Sequence, residues 1–192
     1  MVAVALLSAV ALALVVLSLR RPELPEYPPT PPGGAGEPGP GPHLLTVDAS
    51  DPTHWRYANL SRGQVLDEAA DLEWDLAFRR FQVLVNGGTG FPGAGGVIDL
   101  GAVALGTVRE VPRTGYQGML VSGRDTTHAL LDDWYSYSFT SHLLRPHKRT
   151  LALRTARGRH VALRFLSYYC PGAQPGCVTI RYAFVEPAGA GP

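Results

Sequence analysis

Leu151–Thr155 (LALRT), Ala156–Arg159 (ARGR), His160–Tyr169 (HVALRFLSYY), Cys170–Cys177 (CPGAQPGC) and Val178–Phe184 (VTIRYAF) follow one another through the last third of the chain. The run reads as strand, turn, strand, turn, strand. Val161, Leu163 and Phe165 alternate with Ala162 and Arg164, a period of two. Val178, Ile180, Tyr182 and Phe184 repeat the pattern, with Thr179 and Arg181 on the opposite face. Between them, two prolines and two glycines make a turn with a cysteine at each foot. In an antiparallel hairpin Cys170 and Cys177 can face each other within disulfide reach; the alternative is two buried free thiols. A bridge closing so small a loop contributes roughly 2–3 kcal/mol in the chain-entropy model. It also needs an oxidising compartment, which places the domain outside the cytoplasm.

The middle of the chain extends the β reading. Trp74, Leu76 and Phe78 share one parity, and Phe81, Val83 and Val85 share the other. The phase slips at Arg79-Arg80, where a bulge or turn restores one buried face to both halves. Val97–Leu100 and Val103–Val108 read as further short strands, and Asp67–Leu72 as the one short helix. Gly88-Thr89-Gly90-Phe91-Pro92-Gly93 matches a dinucleotide fingerprint in letters, but glycines and a β-branched run follow where a helix must open. It reads as a loop between strands.

Composition agrees with this class. The 192 residues include 22 glycines and 17 prolines, about a fifth of the chain, which suits loops and short strands more than a helical bundle. Apolar residues make up 45%, too many for general disorder. A net charge of +1 with 17% charged residues gives no field for nucleic acid. Two cysteines are too few for a four-cysteine zinc site. No G-x-S-x-G, H-E-x-x-H or C-x-x-C occurs, and no nucleophile has a recognisable base and orienter, so a hydrolase is not expected. Asp132 and Asp133 are adjacent, point to opposite faces in extended chain, and make a poor acid–base pair.

The N-terminal part reads as an appendage. Val2–Leu19 is apolar on every face and, as a helix, about 27 Å long, close to the ~30 Å hydrocarbon core. It reads as a membrane anchor or export signal over residues 1–21; the absence of a preceding basic region and of an A-x-A-like site favours an uncleaved anchor. Arg20 and Arg21 alone would put the downstream domain in the cytoplasm, against the cysteine argument, and the outside placement is preferred. Residues 22–42 contain nine prolines and five glycines. They read as a linker, about 65 Å long if fully extended at ~3.1 Å per residue. The folded domain is expected over residues 43–188, with a short tail at 189–192.

His128, His142 and His147 crowd within twenty residues and flank Trp134-Tyr135-Ser136-Tyr137-Ser138-Phe139. Imidazole is an axial ligand for haem iron. Aromatic faces can pack on a porphyrin, and Arg145, Lys148 or Arg149 can pair with its propionates. On residues alone each histidine reads equally well as an ordinary surface-loop residue, and the basic run as a solvated loop.

Several segments together resemble the HmuY family of exported haem-binding proteins. Trp55–Gly63 (WRYANLSRG) is similar to the family's opening strand. Trp74–Arg79 (WDLAFR) followed by Asn86-Gly87-Gly88 resembles its most specific signature. Leu153–Arg159 (LRTARGR) with Leu166–Tyr169 (LSYY) resembles its C-terminal hairpin, and Val178–Phe184 its closing strand. The resemblance covers about residues 54–186. It implies an all-β, antiparallel domain that binds and does not transform. It also implies haem held between two histidines on neighbouring loops and passed to or from an outer receptor or haem donor, in the service of iron acquisition. His142 or His147 is then one ligand, with His128 as the nearest second, and no metal beyond the haem iron is expected. The alternative is an envelope structural or protein-interaction module with the same fold and no cofactor.

Overall fold

A computed structural model describes residues 9–12, 15, 24–33, 38 and 41–189. In chain order the strands are β1 (His43–Asp48), β2 (Arg56–Asn59), β3 (Gln64–Leu66), β4 (Leu76–Arg79), β5 (Gln82–Val85) and β6 (Gly96–Asp99). Then come β7 (Glu110–Val111), β8 (Leu120–Ser122), β9 (Asp125–Thr127), β10 (Tyr135–Tyr137), β11 (Leu144–Pro146), β12 (Leu151–Arg154), β13 (His160–Cys170), β14 (Gln174–Phe184) and β15 (Glu186–Pro187).

Five strands form one sheet in the order β1-β14-β13-β12-β6, antiparallel throughout. Four form a second, β3-β2-β4-β5. Their inward residues make one apolar cluster. Leu45, Val47, Leu151, Leu153, Val161, Leu163, Val178 and Ile180 come from the first sheet. Ala58, Val65, Leu76, Phe78, Val83 and Val85 come from the second. Alternation along β13 and β14 therefore sets the core. The phase slip at Arg79-Arg80 is a two-residue turn between β4 and β5: Arg79 pairs with Gln82, and Arg80 takes a positive φ of 54°.

Cys170 and Cys177 are joined by a disulfide, with Cα atoms 4.8 Å apart. The turn is tighter than the cysteine spacing suggests. A 3-10 turn at Pro171–Ala173 carries it, and β14 already starts at Gln174.

Two expected elements are absent. Val103–Val108 forms no strand; only a 3-10 turn at Leu105–Thr107 occurs there, and Leu105 alone is buried. Gly106 interrupts the apolar run, and no neighbouring strand offers it a ladder. Asp67–Leu72 is not helical but follows bends and turns between β3 and β4. The Asp71 carbonyl is taken by the Asn86 side-chain amide at 2.7 Å, a tertiary bond that competes with a helical one.

The glycine loop is a packing device. A Cβ on Gly88, at φ 94°, would stand 2.3 Å from the Met119 carbonyl oxygen. Only glycine permits both that backbone angle and that approach. No helix follows it.

Asp75, just before β4, ties three segments together. Its buried carboxyl accepts the Leu60 amide at 2.8 Å and the Ala156 amide at 2.9 Å. These two donors belong to the β2–β3 and β12–β13 turns, one from each sheet.

Of the apolar N-terminal run, residues 9–12 and 15 are helical, and the rest lies outside the described residues. Among the described residues no helix is long and apolar enough to cross a membrane. The proline-rich stretch is not held clear of the domain over residues 24–33. Thr30 N–H donates to the Thr46 carbonyl (2.9 Å), and Thr46 N–H donates to Thr30 Oγ1 (3.2 Å). Gly33 N–H donates to the Val65 carbonyl at 3.0 Å, and Gly172 N–H donates to Glu26 Oε1 at 3.0 Å. Leu24 packs against the core. Since β1 and β3 are the edge strands of their sheets, this strap caps two edges that would otherwise present unpaired backbone groups. Deleting residues 24–33 from the full chain should lower the unfolding free energy by roughly 1–3 kcal/mol, from the hydrogen bonds lost. It should also cause concentration-dependent association. Chemical denaturation and sedimentation of the two chains check both.

Candidate functional site

The aromatic stretch becomes a projecting two-stranded ribbon. Strands β10 and β11 pair antiparallel, with Tyr137 opposite Leu144, Ser136 opposite Arg145 and Tyr135 opposite Pro146. Its base is fixed. Trp134 is buried, stacks on Phe165 at 4.7 Å and donates its indole N–H to the Phe81 carbonyl at 2.8 Å. Leu144 N–H donates to the Tyr169 hydroxyl at 2.8 Å, binding β11 to β13.

Its tip is free. Phe139 is 85% exposed, an unusual position for a large apolar ring, and Tyr137 is half-exposed. Their rings meet edge to face, 5.5 Å apart. His142 turns the loop with a φ of 54°, a conformation that histidine visits more readily than most side chains. Its Nδ1 lies 2.7 Å from the Tyr137 hydroxyl. In the tautomer in which Nδ1 donates to the phenol oxygen, Nε2 carries the lone pair. An outer partner on one ring nitrogen is the usual way a metal-binding imidazole is oriented. Beside it, Ser141 Oγ is enclosed with no hydrogen-bond partner among the described residues.

The other two candidate ligands sit elsewhere. His128 is buried, with Nε2 donating to the Gln117 carbonyl at 2.8 Å. Its Nδ1 accepts the Leu130 and Leu131 amides at 3.2 and 3.3 Å. Both nitrogens are therefore engaged in shaping the turn that leads to Trp134, and neither has a lone pair for iron. His128→Ala should cost roughly 2–4 kcal/mol of stability, since it leaves buried donors and an acceptor unpaired. Thermal unfolding measures that cost. His147 stands at the ribbon's base: its amide donates to the Trp134 carbonyl (2.9 Å), and Nε2 lies 3.5 Å from Asp133.

The basic run also divides. Arg149 is committed to Asp99 (3.4 Å) and Asp133 (3.1 Å) and to the Asp133 and Leu130 carbonyls. Arg145 and Lys148 are exposed and have no ion-pair partner among the described residues. Arg145, opposite Ser136, projects from the face away from Tyr137.

Sequence reasoning missed one histidine in a hollow. His54 lies in a concavity of about 670 Å³ with Trp55, Arg56, Tyr57, Asp51, Asp67 and Glu68. Its Nδ1 is 2.9 Å from Asp51 and 2.8 Å from Thr53. Bonds from the Thr53 hydroxyl and amide, then from His54, hold the Asp51 carboxyl well below the usual carboxylate range. Arg56 is already paired with Asp67. The hollow is thus acidic and disfavours a dianionic ligand. A second cleft of about 500 Å³ between β5 and β9 is lined by Trp55, Arg79 and Arg124 among others, and holds no histidine.

Residues 51–182 match the HmuY protein family. The chain belongs to that family. Solved structures agree on the fold. One is a candidate HmuY-like heme-binding protein of Bacteroides vulgatus, 17% identical, with a TM-score of 0.59, covering 74% of this chain and 91% of its own. Another is the apo HmuY analog of Tannerella forsythia, 16% identical, TM-score 0.60, covering 75% and 95%. A third is a candidate lipoprotein of Bacteroides fragilis, 20% identical, TM-score 0.58, covering 74% and 88%. No curated protein sequence matches the chain. The HmuY match takes in the four-stranded sheet, the ribbon and the five-stranded sheet apart from β1 and the end of β14, while β1 and the strap at residues 24–33 precede it.

Proposed function

We propose that this HmuY-family domain is an envelope binding protein that captures haem on the β10–β11 ribbon and passes it to or from a partner, without chemical transformation. One observation carries the reading: an exposed imidazole, His142, is fixed through Nδ1 by the Tyr137 hydroxyl beside an aromatic ring, Phe139, that the fold does not bury. Haem supplies an iron that takes an imidazole nitrogen. The chain's own residues then divide the work. His142 offers Nε2, Tyr137 orients it, and Phe139 offers a face or edge to the macrocycle. Lys148 is a cation free to meet its carboxylates, whereas Arg145 projects from the ribbon's other face. Arg149 is already paired. At the ribbon tip, His142 is the imidazole that would hold the iron.

The envelope placement rests on the Cys170–Cys177 bridge, which persists in oxidising compartments, and on the family's exported character. A membrane anchor over residues 2–19 belongs to the same reading. The test is titration of the full chain in detergent with haemin. A saturable, one-to-one Soret change at micromolar concentration is expected. A linear, non-saturating response would leave the exposed Phe139 and Leu120 (64% exposed) as a protein-contact surface instead.

A further inference from the structure

We propose that, before the Cys170–Cys177 bridge forms, the two thiolates and the Asp48 carboxylate together hold a thiophilic divalent cation of the zinc type. The three side chains come from three adjacent strands of the main sheet. Asp48 ends β1 directly opposite Cys177 of β14, and Cys170 ends the neighbouring β13. One ligand atom from each of the three lies within 4.8 Å of the other two. Among the described residues, no other three histidine, cysteine or acidic side chains converge so closely. Zinc takes cysteine sulfur at about 2.3 Å and carboxylate oxygen at about 2.0–2.2 Å, so its donors lie roughly 3.5–4 Å from one another. That separation falls inside the space the three groups already share.

Their placement does not depend on the bridge. Thr46, Val47 and Asp48 run in register with Thr179, Val178 and Cys177, so the ladder itself holds Asp48 beside Cys177. Just beyond, the Ala49 amide donates to the Gly176 carbonyl at 2.9 Å. A Cβ on Gly176, at φ 124°, would stand 2.6 Å from the Ser50 Cα, so glycine is what lets β14 close on the chain leaving β1. On the other side, β13 and β14 stay paired as far as Cys170 and Gln174. The Ser50 amide, donating to Asp48 Oδ1 at 3.0 Å, steadies the carboxylate. Among the described residues that carboxylate has no ion-pair partner. Cys177 is buried, Cys170 half-buried and Asp48 exposed, so a cation is reached from the carboxylate side while the sulfurs are sheltered.

Thiolate donors select soft and borderline cations, and three protein ligands leave a fourth position to water. On binding, each thiol gives its proton to solvent. When a disulfide oxidant acts, the two thiolates give up two electrons and form the S–S bond. The oxidant's own disulfide is cleaved to two thiolates, and the cation leaves as a dication. One pair of sulfurs thus serves first as a masked metal site and then as a staple.

Cadmium is the probe, because its bonds to thiolate absorb in the ultraviolet. The full chain in detergent, reduced with a phosphine and freed of it without oxygen, should bind one equivalent with that band and unfold at a higher temperature. The bridged chain should do neither. Asp48→Asn keeps an acceptor for Ser50 but removes the charge. Losing only an outer partner of a ligand costs roughly 10–100-fold in metal affinity, so losing the carboxylate should cost at least about 10-fold. Where reduction alone loosens the fold, cadmium should restore the circular dichroism of the bridged chain. No band, binding of half an equivalent, equal affinity in Asp48→Asn, or equal affinity in the reduced chain unfolded by urea would each overturn the proposal. Haemin plays no part in the measurement, so its outcome is separate from that of the haem titration.

Discussion

His142→Ala is expected to weaken haemin binding on the order of 100-fold or more, while the fold is unchanged. The magnitude reflects the ligand's position in the site. Losing even an outer partner of a metal-bound imidazole costs roughly 10–100-fold, so losing the imidazole costs at least the upper end of that range. Tyr137→Phe removes only the oxygen at 2.7 Å from Nδ1 and should fall within that 10–100-fold range. The His142 backbone sits at φ 54°, so His142→Gly serves as a companion variant that suits the left-handed region. It should lose haemin as fully as the alanine variant. His54→Ala, altering a residue in an acidic hollow, should change nothing. Binding isotherms followed at the Soret band, with circular dichroism as the fold control, check all four. Equal affinity in His142→Ala and the unmodified chain would remove the ribbon from the site.

Asp75→Ala is expected to cost roughly 3–5 kcal/mol, because two buried amides, those of Leu60 and Ala156, lose their acceptor together. Urea unfolding reads the loss directly. The same residue gives a pH signature. Burial raises the Asp75 carboxyl above its ordinary 3.8, against the pull of its two amide donors and of Arg159 and Arg157. A carboxyl raised in the folded state holds its proton more tightly there than in the unfolded chain. Its contribution is therefore fully present below about pH 4 and declines as pH rises from there through the raised value. In Asp75→Asn, which cannot titrate, that part of the pH dependence should vanish. Stability measured from pH 3 to 8 in both chains decides it. Parallel curves would show that Asp75 is not the group responsible.

The parts of this fold visible in the sequence are those where one face alternates over many residues. Val161, Leu163 and Phe165, then Val178, Ile180 and Tyr182, marked β13 and β14 because an antiparallel pair must put every second side chain into the core. The cysteine feet of their turn were legible for the same reason. Where apolar runs lack a partner, as at Val103–Val108, composition suggested a strand that no neighbouring backbone completes. Asp67–Leu72 failed as a helix because Asn86, on the far side of β5, claims one of its carbonyls. Residues 24–33 looked like free linker because proline content reports what a segment cannot donate. It does not report that Thr30 and Gly33 still donate to β1 and β3.

The candidate site divides along the same line. That histidines cluster around Trp134–Phe139 was visible in the spacing. That His128 is a hydrogen-bond hub and His147 a base residue was not, because the partners that decide it, Gln117 and Asp133, are set by tertiary contacts. The pairing of His142 with Tyr137 spans a hairpin loop whose register depends on Trp134 being anchored to Phe81.

The most direct test is to map the ligand on the chain. Gallium protoporphyrin, a diamagnetic stand-in for haemin, can be titrated into the isotopically labelled full chain while backbone and side-chain resonances are followed by NMR. Capture at the ribbon predicts saturable shifts concentrated at Tyr137, Phe139, His142 and Leu143, with the His142 ring most affected and the Thr53–Tyr57 and Asp67–Ala69 signals still. Shifts centred on His54 and Trp55, or no saturable shifts in the ribbon, would contradict it.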